Sequence, residues 1–277
     1  MKNFTKKYGK WALVTGGSSG IGLEFAHQLA AQGMNLILVA RRGDVLATHA
    51  TELSQKFKID VLPIACDLTQ VNAVETLHEE LRDKDVGLVV MSAGTETTGH
   101  FTKVPLDRHS QLATLNMDVP MRMSRVFGED MVKRRRGGLI FLSSLFGYQG
   151  VPMVANYAAS KAYILTLGEA LNVEMKPFNV DVLVLSPGLT KTEMPAQMPI
   201  NFNKVPMLTS SPKHVVRTAL RALGNKATVV PGITNKIYAW ENRFIPRSFP
   251  VKLFGFLLKN ALHKNNRAEL LHTKQEA

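Results

Sequence analysis

Tyr157 and Lys161 stand four residues apart in Asn156-Tyr157-Ala158-Ala159-Ser160-Lys161, a spacing that puts both side chains on one face of a helix. A phenol and an ammonium so placed can do acid–base work. Reducing a ketone requires a proton donor for the alkoxide that forms as hydride arrives, and a phenol of ordinary pKa, about 10, is a poor partner at neutral pH. An adjacent cation stabilises tyrosinate and moves that pKa toward the working range. Ser143 and Ser144 close an apolar run, and a hydroxyl at the carboxyl edge of a parallel strand can hydrogen-bond a substrate oxygen as charge builds on it. Neither pattern is specific alone, since serines at strand ends are common turn residues. Asn116 by itself reads as a surface or local hydrogen-bonding residue. Context has to supply the weight.

The first apolar run ends in Thr15-Gly16-Gly17-Ser18-Ser19-Gly20-Ile21-Gly22, and a helical pattern starts at once. Glycines there permit a tight turn and close backbone approach, and the helix N-terminus offers unpaired N–H groups to a pyrophosphate. Gly16, Ser18, Ser19, Gly20, Ile21 and Gly22 are therefore candidate dinucleotide contacts. Arg41 and Arg42 follow the second run, where a cofactor lacking a 2′-phosphate would call for an acidic side chain on its ribose. A guanidinium matches a phosphate instead. The expected cofactor is NADP(H), with Arg41 on the 2′-phosphate and Ser19 or Arg42 assisting.

These groups need a scaffold. Apolar runs of strand length recur at 11–15, 35–40, 61–65, 86–92, 139–143 and 180–185, nearly all continuous rather than alternating. Such strands are buried on both faces. Helical spacing fills the intervals at 21–31, 44–57, 70–81, 107–132 and 156–176, and a further helix at 212–223 precedes a short strand at 228–230. Alternation of this kind predicts an α/β fold, a Rossmann-like doubly wound parallel sheet of about seven strands with helices on both faces. One domain is expected over residues 1–235, followed by an extension over 236–277.

In order and spacing, these motifs resemble the classical short-chain dehydrogenases/reductases over residues 11–192. By that resemblance the glycine loop is Thr15 to Gly22, and Asp67, beside Leu68, meets the adenine. The catalytic tetrad falls on Asn116, Ser144, Tyr157 and Lys161, with Ser144 chosen over Ser143 by its spacing of thirteen from Tyr157. Pro187-Gly188-Leu189-Thr190-Lys191-Thr192 takes the place of the Pro-Gly motif, in which Thr190 and Thr192 hold the nicotinamide carboxamide and phosphate region. Ala93 and Gly94 admit the adenosine ribose. Met91 and Ser92 stand where the family commonly has two asparagines, which removes amide bonds that brace the sheet and leaves Ser92 as a weak substitute. The implied reaction has hydride leaving NADPH, Ser144 and Tyr157 binding the carbonyl oxygen, and Tyr157 donating the proton. Lys161 acidifies Tyr157 and holds the nicotinamide ribose, while Asn116 positions a water that relays protons toward Lys161. The resemblance also implies a homo-oligomer, a dimer or a tetramer.

Substrate choice in the family is set largely between the Pro-Gly motif and the next helix, here about residues 191–211. Met194, Met198, Ile200, Phe202, Val205, Met207 and Leu208 make that stretch apolar. Methionine adapts to irregular shapes, so Met194 and Met198 are candidate contacts for a hydrophobic ketone, a long 3-oxoacyl chain or a steroid; simple packing of the loop is the rival reading. The chain carries a net charge of +12, of which +5 falls in residues 236–277 among many aromatic and aliphatic side chains. That mixture suits either packing on the domain or a second subunit, or peripheral contact with a membrane. Lys133 to Arg136 reads as a helix C-terminus, where cations meet the helix dipole, and nucleic acid is not expected as a partner. Nothing calls for a metal. The single cysteine, Cys66, excludes an internal disulfide and reads as a buried inert thiol. The basic N-terminus lacks the apolar core of a signal peptide, so a cytoplasmic location is expected. The competing functional class is a non-catalytic NADP(H)-binding sensor or scaffold, which has no need of a proton relay.

Overall fold

The computed structural model describes residues 4–205, 207–241 and 244–262. Seven strands form one sheet: β1 (Trp11–Thr15), β2 (Asn35–Ala40), β3 (Val61–Ala65), β4 (Val86–Met91), β5 (Gly137–Leu142), β6 (Val180–Leu185) and β7 (Thr228–Val229). Their order is β3-β2-β1-β4-β5-β6-β7, and each neighbouring pair is parallel. The helices are α1 (Phe4–Tyr8), α2 (Gly20–Ala30), α3 (Gly43–Phe57), α4 (Ala73–Glu80), α5 (Leu106–Ala113) and α6 (Val119–Arg134). They continue with α7 (Ala155–Met175), α8 (Glu193–Gln197), α9 (Pro212–Ala222), α10 (Ile233–Trp240) and α11 (Ser248–Ala261).

Two core clusters, one on each face of the sheet, explain why the strands read as unbroken apolar runs. Side chains alternate across a strand. Ala12 and Val14 of β1 pack on one face with α2 and α9 residues such as Phe25 and Val216, while Leu13 points to the other with Phe127 and Ile164. In β2, Leu36 and Leu38 join the first cluster and Ile37 and Val39 the second. Complete burial of a leucine or isoleucine contributes about 1.5–3 kcal/mol, so a charge on either side of these strands would be strongly destabilising. Close backbone contact between β4 and the N-terminal segment requires Gly87, whose Cβ would lie 1.3 Å from the Tyr8 carbonyl oxygen.

The chain reverses its direction of winding between β1 and β4, and ligands of open parallel sheets bind beyond the strand carboxyl ends at such a switch. Every loop with a candidate site residue leaves the sheet at that edge.

Three boundaries differ from expectation. The helix expected over 107–132 is two helices joined by a π-helical turn, Thr114–Asp118. Pro120 has no N–H to give the carbonyl of Asn116, four residues back, and its ring crowds that carbonyl. The ladder widens instead, with Val119 N–H bonding the oxygen of Thr114, five residues earlier. The helix expected from residue 70 begins at Ala73, because Asn72 takes a left-handed backbone, φ 58°. The position taken as the end of the domain, 235, lies inside α10; Asn235 is buried, and its Nδ2 donates to the Pro231 carbonyl at 2.7 Å.

The basic run 133–136 closes α6 as expected, with Arg135 in the left-handed capping position. Arg136 pairs with Asp85 at 2.7 Å, and Lys133 with Glu129 at 2.8 Å. Among the described residues no helix is long and apolar enough to cross a membrane.

Candidate active site

A cleft of about 640 Å³ opens along the carboxyl edge of the sheet, from Arg41 at one end to Met198 and Met207 at the other. Every candidate cofactor, catalytic and substrate residue lines it except Asn116.

The glycine loop builds the phosphate end. Gly16 and Gly20 have φ of +67° and +57°, values that favour glycine. A Cβ on Gly22 would sit 2.2 Å from the Gly16 carbonyl oxygen, and one on Gly16 would meet the Ala93 backbone at 3.0 Å. The turn therefore closes only with glycine, and it brings the first turn of α2 to the cleft. Ser19 precedes that helix in extended conformation and makes no side-chain capping bond, so N–H groups of the first turn face the cleft without a capping side chain, as phosphate binding requires. Arg42 Nη2 reaches Ser18 Oγ at 3.3 Å and Glu193 at 3.7 Å, while the Arg41 guanidinium has no ion pair among the described residues. Asp67 is fixed by the Thr69 backbone N–H and hydroxyl, at 3.0 and 2.8 Å, which hold its pKa below the usual carboxylate value. Cys66, beside it, is only partly buried and lines the cleft; burial pushes its thiol up.

Bracing after β4 comes from Thr15 and Asn116, for which the sequence pattern suggests other roles, in the glycine loop and in a proton relay. Ser92 makes no side-chain hydrogen bond among the described residues. Thr15 Oγ1 accepts from Ala93 N–H at 3.0 Å and bridges β1 to β4. Asn116, carried by the π-helical turn and fully enclosed, clamps Thr95: its Oδ1 accepts from Thr95 N–H and its Nδ2 donates to Thr95 O, both at 2.9 Å. Nδ2 also donates to Ser160 Oγ at 3.1 Å, and Ser160 in turn donates to the Tyr157 carbonyl at 2.8 Å. Both amide hydrogens are thus committed to protein. Asn116 links the β4 loop to α7 behind the cleft wall instead of lining it.

The reacting groups come together on α7 and the end of β5. Lys161 is buried, and its Nζ donates to the Leu142 carbonyl at 2.8 Å, 5.6 Å from the centre of the Tyr157 ring. Ser143 Oγ donates to the Lys161 carbonyl at 2.7 Å and so anchors the helix. Ser144 instead faces the cleft, its Oγ accepting from Phe146 N–H at 3.2 Å. Burial pushes the Tyr157 phenol up to about 12; its hydrogen bond with Ser144 opposes the rise, and the charge of Glu96 adds to it. Burial also lowers Lys161 to about 8. The expected acidification of the phenol by the amine is therefore not what the protein alone produces. Desolvation dominates the phenol, and the ammonium hydrogen-bonds the Leu142 carbonyl. At neutral pH the phenol keeps its proton and the amine is charged.

Beyond β6, Thr190 Oγ1 donates to Gly188 O at 3.0 Å, and the Thr192 methyl lies against Gly20. Met194 and Met198 line the far end. Met198 is also packed with Ile200, Val205, Phe254 and Leu258, so the substrate stretch rests on α11. The 236–262 segment thereby supports one wall of the cleft, with Asn201 N–H bonded to Ala261 O at 2.8 Å.

A glycine-rich turn at a strand–helix junction, followed by Ser, Tyr and Lys around one cleft, defines a nicotinamide-dependent oxidoreductase. Residues 10–201 match the short chain dehydrogenase family, and the chain belongs to it. It is 31% identical over 253 residues to a 7beta-hydroxysteroid dehydrogenase of Clostridium sardiniense, covering 91% of this chain and 97% of that one. It is also 31% identical over 220 residues to a very-long-chain 3-oxoacyl-CoA reductase of Bos taurus, covering 78% of this chain and 69% of the other. A short-chain dehydrogenase from Sphingobium yanoikuyae, solved in complex with NADPH, superposes with a TM-score of 0.75 at 26% identity, over 84% of this chain and 92% of that one. The protein is an oxidoreductase acting on CH–OH/C=O groups of a small molecule, with a nicotinamide dinucleotide as cofactor.

Proposed function

We propose that the protein is an NADPH-dependent reductase of hydrophobic ketones, steroid-like or 3-oxoacyl-like. One observation carries the reading: a protonated phenol, a serine hydroxyl and a buried ammonium lie between a phosphate-binding glycine turn and a methionine-rich wall. Gly16 and Gly22 let the phosphate-binding turn close against its own backbone, and Arg41, exposed and without an ion pair among the described residues, suits the 2′-phosphate. NADPH bound along the cleft supplies the hydride. Ser144 and Tyr157 hydroxyls hold the carbonyl oxygen of the ketone, and Tyr157 passes its proton to that oxygen as charge grows there. Hydride and proton together turn the ketone into a secondary alcohol. Lys161 holds positive charge beside the phenol and compensates the tyrosinate left behind. Asn116 is a positioning residue, holding Thr95 and α7 in register. The kinship with a hydroxysteroid dehydrogenase and an oxoacyl reductase supports the choice of substrate class.

NADPH oxidation followed at 340 nm over a panel of steroid ketones and 3-oxoacyl esters tests this. Turnover is expected. Binding of NADPH without turnover of any ketone would favour a sensor or scaffold.

The outer faces of α10 and α11 expose Ile237, Trp240, Phe249 and Phe256 together with Lys236, Lys252 and Lys259. Apolar side chains rimmed by cations suit the headgroup boundary of a bilayer. Flotation is expected with vesicles containing anionic lipid and to weaken in high salt; recovery of all the protein in the unbound fraction would refute it. Homo-oligomerisation, as a dimer or tetramer, belongs to the same reading and is checked by sedimentation.

A further inference from the structure

The wall of the cleft formed by α5 and the turn after it changes character along its length. Arg108, Gln111 and Leu115 follow one another at helical spacing, and all three line the cleft. Leu115 is partly buried and packs against the core beneath the sheet. Gln111 and Arg108 are exposed. Met198, Phe202 and Met207 line the same cleft and cluster with Tyr157, and Arg108 acts on Glu96, whose charge in turn reaches Tyr157, so Arg108 is an exposed cation on the side of the reacting groups.

Of the other two arginines that line the cleft, Arg42 pairs with Glu193 and Arg41 stands at the end of β2 beside the glycine loop, where the 2′-phosphate is proposed to bind. Arg108 has neither an ion pair nor a side-chain hydrogen bond among the described residues. The carboxylate that feels its charge is Glu96, on the same cleft. Glu96 does not come within ion-pair distance; its Oε2 accepts the Thr98 hydroxyl at 2.5 Å. A guanidinium fork in a substrate cleft with no protein carboxylate on it is matched by a planar oxyanion.

We propose that Arg108, assisted by the Gln111 amide, recognises a carboxylate carried by the substrate at a distance from its ketone. The substrate is then amphipathic, with an apolar body against the methionines and an anionic end at α5. This rests on the carbonyl-reductase reading and narrows its substrate class.

The probes are a keto steroid bearing a side-chain carboxylate and its methyl ester, assayed with wild type, Arg108→Ala and Arg108→Lys. Wild type is expected to prefer the acid. Arg108→Ala reduces the acid-over-ester ratio of kcat/KM about tenfold to a hundredfold, the size of a charge-assisted hydrogen bond, through KM rather than kcat. Arg108→Lys keeps part of the preference, and 1 M salt erodes it, because the site is open to solvent. A merely structural role would affect both probes alike. An acid-over-ester ratio unchanged in Arg108→Ala overturns the inference while ester turnover leaves the reductase reading standing. Turnover of neither probe overturns the inference, and the reductase reading is then decided by the wider ketone panel.

Discussion

Tyr157→Phe lowers kcat for ketone reduction by about a thousandfold, within the 10²–10⁴ range of a general acid, and leaves NADPH binding measurable. The phenyl ring keeps the packing of α7 against the cleft and removes only the oxygen that Ser144 hydrogen-bonds. No neighbouring side chain takes over as donor. Ser144 retains a hydroxyl but has no basic or acidic partner to drive proton transfer, and Lys161 is turned to Leu142 O. Single-turnover absorbance at 340 nm with a saturating ketone measures the loss, and fluorescence titration with NADPH checks the cleft. A Phe variant within tenfold of wild type would remove Tyr157 from the reaction.

The pH dependence follows from the same two groups, with opposite signs. Tyr157 must be protonated to donate, a condition met up to about pH 12. Lys161 must be charged to compensate the tyrosinate, a condition met below about pH 8. The reduction rate is therefore expected to be level near neutrality and to fall as pH rises through 8. An alkaline limb only above pH 10 would assign the loss to the phenol instead.

The fold was largely legible because hydrophobic burial on two faces leaves continuous apolar runs, and six of the seven strands stand out in that way. The site was legible where function constrains the backbone itself, as in the turn that Gly22 closes. What stayed hidden depends on contacts distant in sequence. Asn116 reads as an ordinary helical residue until Thr95, twenty-one positions earlier, is found clamped by it. Pro120 was the available signal for the irregular turn beneath it. The role of α11 could not be read from its amphipathic pattern, because the pattern is the same whether the buried side meets Met198 or a second subunit. Proton affinities were least legible: the i, i+4 spacing of Tyr157 and Lys161 describes proximity, whereas desolvation, which raises the phenol and lowers the amine, decides the outcome.

Arg41→Asp reverses the coenzyme preference, with the NADPH-over-NADH ratio of kcat/KM falling about a thousandfold, or ~4 kcal/mol. Arg41 leaves the end of β2 exposed and without an ion pair among the described residues, so its charge is available to the cleft and reaches Asp67. Charge-assisted hydrogen bonds to a phosphate contribute about 1.5–3 kcal/mol. A carboxylate in its place repels the 2′-phosphate and offers an acceptor to the unsubstituted ribose hydroxyls of NADH, so both halves of the ratio move. Arg42 is partly engaged by Ser18 and Glu193, and Arg42→Ala is expected to cost less than Arg41→Ala. Steady-state kinetics with both coenzymes on one ketone decide the order. If Arg42→Ala causes the larger loss for NADPH, the phosphate is held between Arg42 and Ser18, and Arg41 contributes only long-range charge.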